Sequence, residues 1–198
     1  MKNTKYNDTQ IKQITNIMKL QNNNGILLIP SVRVSYPHIV TYKKDTQYFD
    51  CSFLVDKSDT KLIEALTKEI EAFAIKEFGT LENIYLPLKL QNMNNIESEE
   101  GGYVFSASSN YDVSAFDKNK NIIPKSDIYG GCWAIVSVKL YAFGKNKEKK
   151  GIGLSLRSIM KIYDDNKFGS SKTNDFDNCD FKKFGSVEAA TTTTDDII

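Results

Sequence analysis

His38 is the only histidine in this 198-residue chain, and no histidine–carboxylate cluster, glycine-rich phosphate loop or metal-spaced ligand set accompanies it. That scarcity argues against an enzyme, and a lone histidine after a Tyr-Pro step reads as a turn or hydrogen-bonding residue. Glu99 and Glu100 are adjacent acids in a polar stretch with no third ligand at a suitable spacing, so they read as solvated and neither metal nor cofactor is expected. Cysteine is sparse too. Cys51, Cys132 and Cys179 are far apart, odd in number and in no CxxC pair, which suits reduced thiols in a cytosolic protein and excludes a disulfide framework. No run approaches the ~20 apolar residues of a membrane span, and the polar start MKNTKYNDTQ is not a signal peptide. A soluble cytoplasmic protein with no membrane partner is therefore expected. Net charge is scarce as well, at +1, but it is unevenly spread. Residues 175–198 hold six acids against two lysines, net −4, which leaves +5 on residues 1–174: a mildly basic body with an acidic tail.

What the chain does have is concentrated in residues 129–163. Two alternating runs, 132–143 and 152–163, flank Gly144-Lys-Asn-Lys-Glu-Lys-Lys-Gly151, the pattern of two antiparallel strands joined by a basic hairpin loop. Strand side chains alternate between faces. Ala134, Val136, Val138, Leu140 and Ala142 form an apolar set, and Trp133, Ile135, Ser137, Lys139, Tyr141 and Phe143 form the other. In the second run Ile152, Leu154, Leu156, Met160 and Ile162 oppose Gly153, Ser155, Arg157, Lys161 and Tyr163, with Ser158 and Ile159 breaking the alternation. A face of rings and cations suits single-stranded nucleic acid, because bases stack on aromatic planes and phosphates seek Lys and Arg. The same rings also suit a sheet covered on both sides with no ligand at all, so a β-rich structural or protein-interaction module stands beside the nucleic-acid reading.

The remaining elements frame that hairpin. Residues 8–20 place Ile11, Ile14, Ile17 and Met18 on one side of a short amphipathic helix ended by Asn22-Asn23-Asn24-Gly25. Residues 26–38 read as a strand interrupted at Pro30, with Val32, Val34 and Tyr36 facing one way and Arg33 and Ser35 the other. Residues 48–55 read as a strand whose core face is Phe49, Cys51, Phe53 and Val55. Lys57-Ser58-Asp59 supplies a helix N-cap, residues 60–78 place Leu62, Leu66, Ile70 and Phe73 at helical spacing, and Gly79 is the stop. Short strands are expected at 84–90 and 103–108. Beyond about residue 170 the small, polar, acidic composition predicts disorder, and the last four residues, Asp195, Asp196, Ile197 and Ile198, put two acids before an apolar end that suits either a basic-rimmed pocket on a partner or an inert solubilising tail.

Several stretches together resemble a family. Arg33-Val-Ser-Tyr-Pro-His38, Phe53-Leu-Val-Asp-Lys-Ser-Asp59 before a long helix, Gly102-Tyr103 followed by Ser106-Ala-Ser108, Ile128-Tyr-Gly-Gly-Cys132, residues 136–143 and Lys150-Gly-Ile-Gly153 are similar, in the same order, to the bacteriophage single-stranded DNA-binding proteins long known only as a domain of unknown function. The resemblance covers most of residues 26–165. It implies an OB-fold-like antiparallel β-barrel, an acidic C-terminal tail that recruits replication or recombination proteins, and sequence-tolerant coating of single-stranded DNA in the host bacterial cytoplasm. This chain ends in two isoleucines, and a further acidic-aromatic stretch, Asp175-Phe176-Asp177 to Asp180-Phe181, lies upstream.

The expectation is a mainly β (α+β) protein in three parts: an N-terminal helix or extension over 1–25, an OB-like single-stranded DNA-binding domain over 26–168 with one long packed helix, and a flexible acidic tail over 169–198. The DNA groove is expected to be lined by Arg33, Tyr36, Trp133, Lys139, Tyr141, Phe143, Arg157 and Lys161, with Lys145, Lys147, Lys149 and Lys150 gripping phosphate from the hairpin loop. Association into a homo-oligomer is left open.

Overall fold

Residues 19–43, 48–91 and 102–168 are described by a computed structural model, and all of them fall in the first of two units into which the chain divides, Met1–Phe168. Eight strands and one α-helix follow in order: β1 Gln21–Asn23, β2 Ile26–Lys43, β3 Tyr48–Asp56, α1 Thr60–Phe78, β4 Lys89–Gln91, β5 Gly102–Ser109, β6 Ser114–Phe116, β7 Trp133–Phe143 and β8 Gly151–Tyr163. The alternating hairpin of the sequence is β7 and β8, antiparallel from Phe143↔Gly151 to Trp133↔Tyr163.

Five of these strands close on themselves. β3 pairs antiparallel with both β2 and β5, β7 pairs antiparallel with β2 and β8, and a parallel contact between Ser108 of β5 and Ser155 of β8 completes the ring. Counting barrel strands in chain order, the circuit runs first, second, third, fifth, fourth and back to the first, which is the OB-type Greek-key barrel. Its interior is the apolar set of each strand: Leu27, Ile29, Val32 and Val34 of β2, Cys51, Phe53 and Val55 of β3, Phe105 and Ala107 of β5, and the inward residues of β7 and β8 are all buried. Phe53 and Phe105, opposite each other in the β3–β5 ladder, stack with centroids 5.2 Å apart.

The helix joins the second and third barrel strands. Asp59 caps it by accepting from the Leu62 amide at 3.2 Å, and Gly79, at φ 74°, ends it in the left-handed conformation that glycine adopts without a Cβ clash. Leu62, Leu66, Ile70 and Ala74 drive its apolar stripe into the same core. Near its C-terminal end Glu77 accepts from Lys145 of the β7–β8 loop at 2.6 Å, which fixes the helix beside the base of the hairpin loop.

The structure departs from the sequence reading in three places, two of them where the backbone slips by a residue or two. Residues 21–25 are not the end of a helix: β1 pairs with β2 through a tight turn at Asn24 (φ 54°) and Gly25 (φ 81°), the positive pair that an Asn-Gly hairpin turn requires. The helix expected over residues 8–20 lies outside the described residues, apart from Lys19 and Leu20, which are not helical. In β2 the ladder slips between Ser35 and His38, and Tyr36 takes φ 46°, so Ser35 turns inward and Tyr36 outward, the reverse of the simple alternation. In β8 the pairing slips between Leu156 and Ser158, leaving Arg157 as the extra residue, so Ile159 enters the core in place of Met160.

Candidate nucleic-acid interface

Because side chains alternate, everything not in the core of a closed barrel is presented outward. From β7 across β8 and β5 to β3 and β2 the ladder aligns one outward row: Lys139↔Ser155, Ser155↔Ser108, Ser108↔Asp50 and Asp50↔His38. Beside it Ser52 and Ser106 share a hydrogen bond at 2.8 Å, and Ser137 opposes Ser158. Serine is too short to fill the space above a strand. The row is therefore a low polar floor, and the larger side chains stand at its borders.

The hairpin border carries several cations. No ion pair among the described residues engages Lys139, Lys147, Lys149, Lys150 or Arg157, whereas Lys145 is tied to Glu77. Arg157 is exposed at the bulge where β8 exchanges its partner from β5 to β6. The rings on this border, Tyr141 and Phe143, have centroids 6.4 Å apart and are tilted by 53°. Across the floor, His38 Nδ1 lies 3.2 Å from Asp50 Oδ1, and Tyr36 is 77% exposed. Among the described residues no group of three or more His, Cys, Asp or Glu is placed to hold a metal ion.

The other sequence-selected residues form a separate cluster. The Trp133 indole donates to Asp165 Oδ2 at 2.9 Å, and Arg33 pairs with the same oxygen at 3.2 Å. The Arg33 guanidinium also lies 4.5 Å from the Phe168 ring centroid and 5.5 Å from that of Trp133. Lys161, in register with buried Ala134 after the bulge, points away from Lys139 and donates to Asp164 Oδ1 at 2.9 Å, as does the Tyr129 hydroxyl. Burial pushes the Tyr129 phenol up, and its bond to Asp164 pushes it further. Burial would also raise Asp164, but the bonds from Lys161 and Tyr129 outweigh it and hold the carboxyl below its ordinary 3.8. Gly131, at φ 107°, lets residues 164–168 pass close by: a Cβ there would sit 2.1 Å from the Asn166 carbonyl oxygen. Arg33, Trp133 and Lys161 are thus a latch for the segment leaving β8, with the indole donor and both positive charges engaged by Asp164 and Asp165. The structure brings Lys139, Tyr141, Phe143, Arg157 and the hairpin lysines together and puts these three elsewhere. Asp195, Asp196, Ile197 and Ile198 lie outside the described residues.

Sequence reasoning missed Tyr85, whose backbone bridges to Gly151 and whose ring is 6.1 Å from Phe143, and Lys89, whose amine lies 4.5 Å from the Tyr85 ring. It also passed over Asp164 and Asp165, which hold the second cluster. A usable signal existed in Gly151-Ile-Gly153: two outward glycines facing Phe143 and Tyr141 across a hairpin mark rings laid over the backbone.

With this geometry in place, comparison with known proteins is informative. The family model described as Enterobacter phage Enc34, ssDNA-binding protein, matches residues 26–190. Among solved structures, the single-stranded DNA-binding protein from bacteriophage Enc34 in complex with ssDNA is 21% identical, with a TM-score of 0.62 over 74% of this chain and 91% of that one. Another structure of the Enc34 protein is 20% identical, with a TM-score of 0.59 over 81% of this chain and 98% of that one. At such identities these likenesses speak to the fold. No curated protein matches the chain.

Proposed function

The chain belongs to the Enterobacter phage Enc34 ssDNA-binding protein family, and from that premise we propose that it coats single-stranded DNA, tolerant of sequence, during phage replication and recombination. The observation that carries the reading is the outward face described above: a serine floor bordered by rings and by cations that no described acid neutralises. In an OB-type barrel the outer face of the second and third strands and the loop between the fourth and fifth are where oligonucleotides bind. Those elements here are β3, β5 and the lysine-bearing residues 144–150.

Roles follow from side-chain chemistry. Tyr141, Phe143 and Tyr36 supply ring faces, each worth ~1–3 kcal/mol per stacked base. Lys139, Lys147, Lys149, Lys150 and Arg157 supply phosphate contacts, each displacing condensed counterions, so affinity falls as salt rises. The serines admit any base because they reach no particular base edge from below a stacked ring. The reading assigns the chain no reaction and no cofactor. It places the protein in the host cytoplasm, with the acids of residues 169–198 available to replication or recombination proteins.

The test is a titration of fluorescein-labelled oligo(dT) across a salt series, with duplex of equal length as competitor. Tight binding that weakens steeply with salt and resists duplex is expected. Equal competition by duplex, or no binding at low salt, refutes the reading.

A further inference from the structure

One segment crosses the seam where β5 and β8 diverge. The Tyr85 amide donates to the Lys150 carbonyl at 3.0 Å, and the Ile152 amide donates to the Tyr85 carbonyl at 2.9 Å. Four residues later β4, Lys89–Gln91, ladders onto β5. Residues 85–91 are thereby held to both sides of the seam by backbone bonds, and Tyr85 is placed rigidly beside the hairpin.

Two missing side chains decide how the rings lie. A Cβ on Gly153 would sit 2.4 Å from Tyr141 Cζ and 2.7 Å from its Cε1, so the Tyr141 ring occupies the space above that glycine. A Cβ on Gly151 would sit 2.6 Å from both Cβ and O of Tyr85 and 3.0 Å from Phe143 Cζ. Tyr85 can approach β8 only because that Cβ is absent. One side of the Tyr141 ring rests on backbone and the other is open, and Tyr85 and Tyr141 are 47% and 44% exposed. Phe143 stands between them, tilted by 54° to Tyr85 and 53° to Tyr141. Rings tilted to that degree cannot clamp a base between them; a base can only stack on an outward ring face.

We propose that Tyr85 and Lys89 form, with Tyr141 and Phe143, a stacking step for an unpaired nucleobase at the foot of the hairpin, built on the glycine floor. Lys89, whose amine lies over one face of the Tyr85 ring 4.5 Å from its centroid, leaves the other face for the base and meets the phosphate beside it. The inference rests on the single-strand reading above and extends its binding face from the barrel strands onto the seam segment. The strand then runs from the lysines of residues 144–150, over the step, to the serine row.

Full-length Tyr85→Ala, Tyr85→Phe, Lys89→Ala and Tyr141→Ala chains, each titrated with fluorescein-oligo(dT) across a salt series, test it. Tyr85→Ala keeps the backbone bonds to β8, and its affinity is expected to fall about 5- to 150-fold with the slope of log K against log salt unchanged. Tyr85→Phe keeps the ring and is expected to bind within about two-fold of the unaltered chain. Lys89→Ala should flatten the slope by about 0.7, the signature of one lost phosphate contact to a single strand. If Tyr85→Ala binds like the unaltered chain while Tyr141→Ala is weakened, the inference fails and the single-strand reading stands. If the unaltered chain does not bind oligo(dT), both fail.

Discussion

Removing the Asp165 carboxylate distinguishes the two clusters of rings and cations, because its bonds give it a role in stability and it lies outside the proposed binding face. Asp165 Oδ2 accepts the Trp133 indole N–H at 2.9 Å and pairs with Arg33 at 3.2 Å. In Asp165→Ala the half-buried indole N–H loses its acceptor, and Arg33, whose side chain is 19% exposed, loses its counter-charge. A hydrogen bond to a charged acceptor contributes about 1.5–3 kcal/mol, and leaving its donor unsatisfied sets the upper end. The Asp165 side chain is 31% exposed, so water offsets part of the loss. The net expectation is a destabilisation of about 2–3 kcal/mol, equivalent to a drop in melting temperature of about 4–12 °C for a domain of this size. Asp165→Asn keeps an acceptor for the indole and loses the charge, and should cost about 1 kcal/mol. Thermal and urea melts followed by the fluorescence of Trp133 read both, and oligo(dT) titration of the folded variant should agree with the unaltered chain within about two-fold. A destabilisation below about 0.5 kcal/mol in Asp165→Ala would refute the latch, and so would a large loss of affinity in a variant that remains folded.

Two further expectations follow from titratable groups. The bond from Lys145 lowers Glu77 from its ordinary 4.5, that from the Asn121 side chain lowers Asp117 from 3.8, and Asp164 is held below 3.8 by Lys161 and Tyr129 against the opposing effect of burial. The folded state then binds fewer protons than the unfolded chain around these values. Their stabilisation is complete above about pH 4.5 and is lost as pH falls through the lowered values, so urea midpoints should decline steadily from pH 5 to pH 3; midpoints that hold or rise over that range contradict the assignment. Burial also pushes the Cys51 thiol well above 9.0 and the Cys132 thiol up to about 11. Both should resist iodoacetamide at pH 8 in the folded protein and react in urea, as read by peptide mass spectrometry, and prompt labelling of either in the native state would show that the core opens there.

The strands and the helix were legible because their signals are short-range, whereas the barrel they close into was implied by the family resemblance. The alternating runs of β7 and β8 and the apolar set of β3 sort their faces by period 2, and the caps Asp59 and Gly79 mark the helix ends as the sequence predicts. What was not legible depends on one-residue slips and on partners far along the chain. The broken alternation at Ser158 and Ile159 hints at a slip but does not say that Arg157 is the extra residue, and that bulge carries Ile159 into the core and Lys161 off the face of Lys139. Trp133 and Arg33 have the composition of a stacking site, but Asp165, 32 residues after Trp133, accepts the indole N–H and pairs with the guanidinium. Tyr85 was missed for the converse reason: the sequence places it in a short strand over 84–90, whereas the strand forms only at Lys89–Gln91 and the closing of the barrel brings Tyr85 against Gly151 through a single bridge. A ring-and-cation pattern on a strand therefore identifies candidates, and the pairing of the acids decides which remain free to bind.

Photo-crosslinking tests the central claim most directly. An oligo(dT) carrying 5-iododeoxyuridine, irradiated on the full-length chain and mapped by mass spectrometry, should attach to Tyr85, Tyr141 or Phe143, on the border of the serine row. Attachment confined to Trp133, Tyr129 or Phe168 would mean that the strand opens the latch and lies at the Trp133 end of β7, away from the hairpin loop, and the account of the binding face would be contradicted.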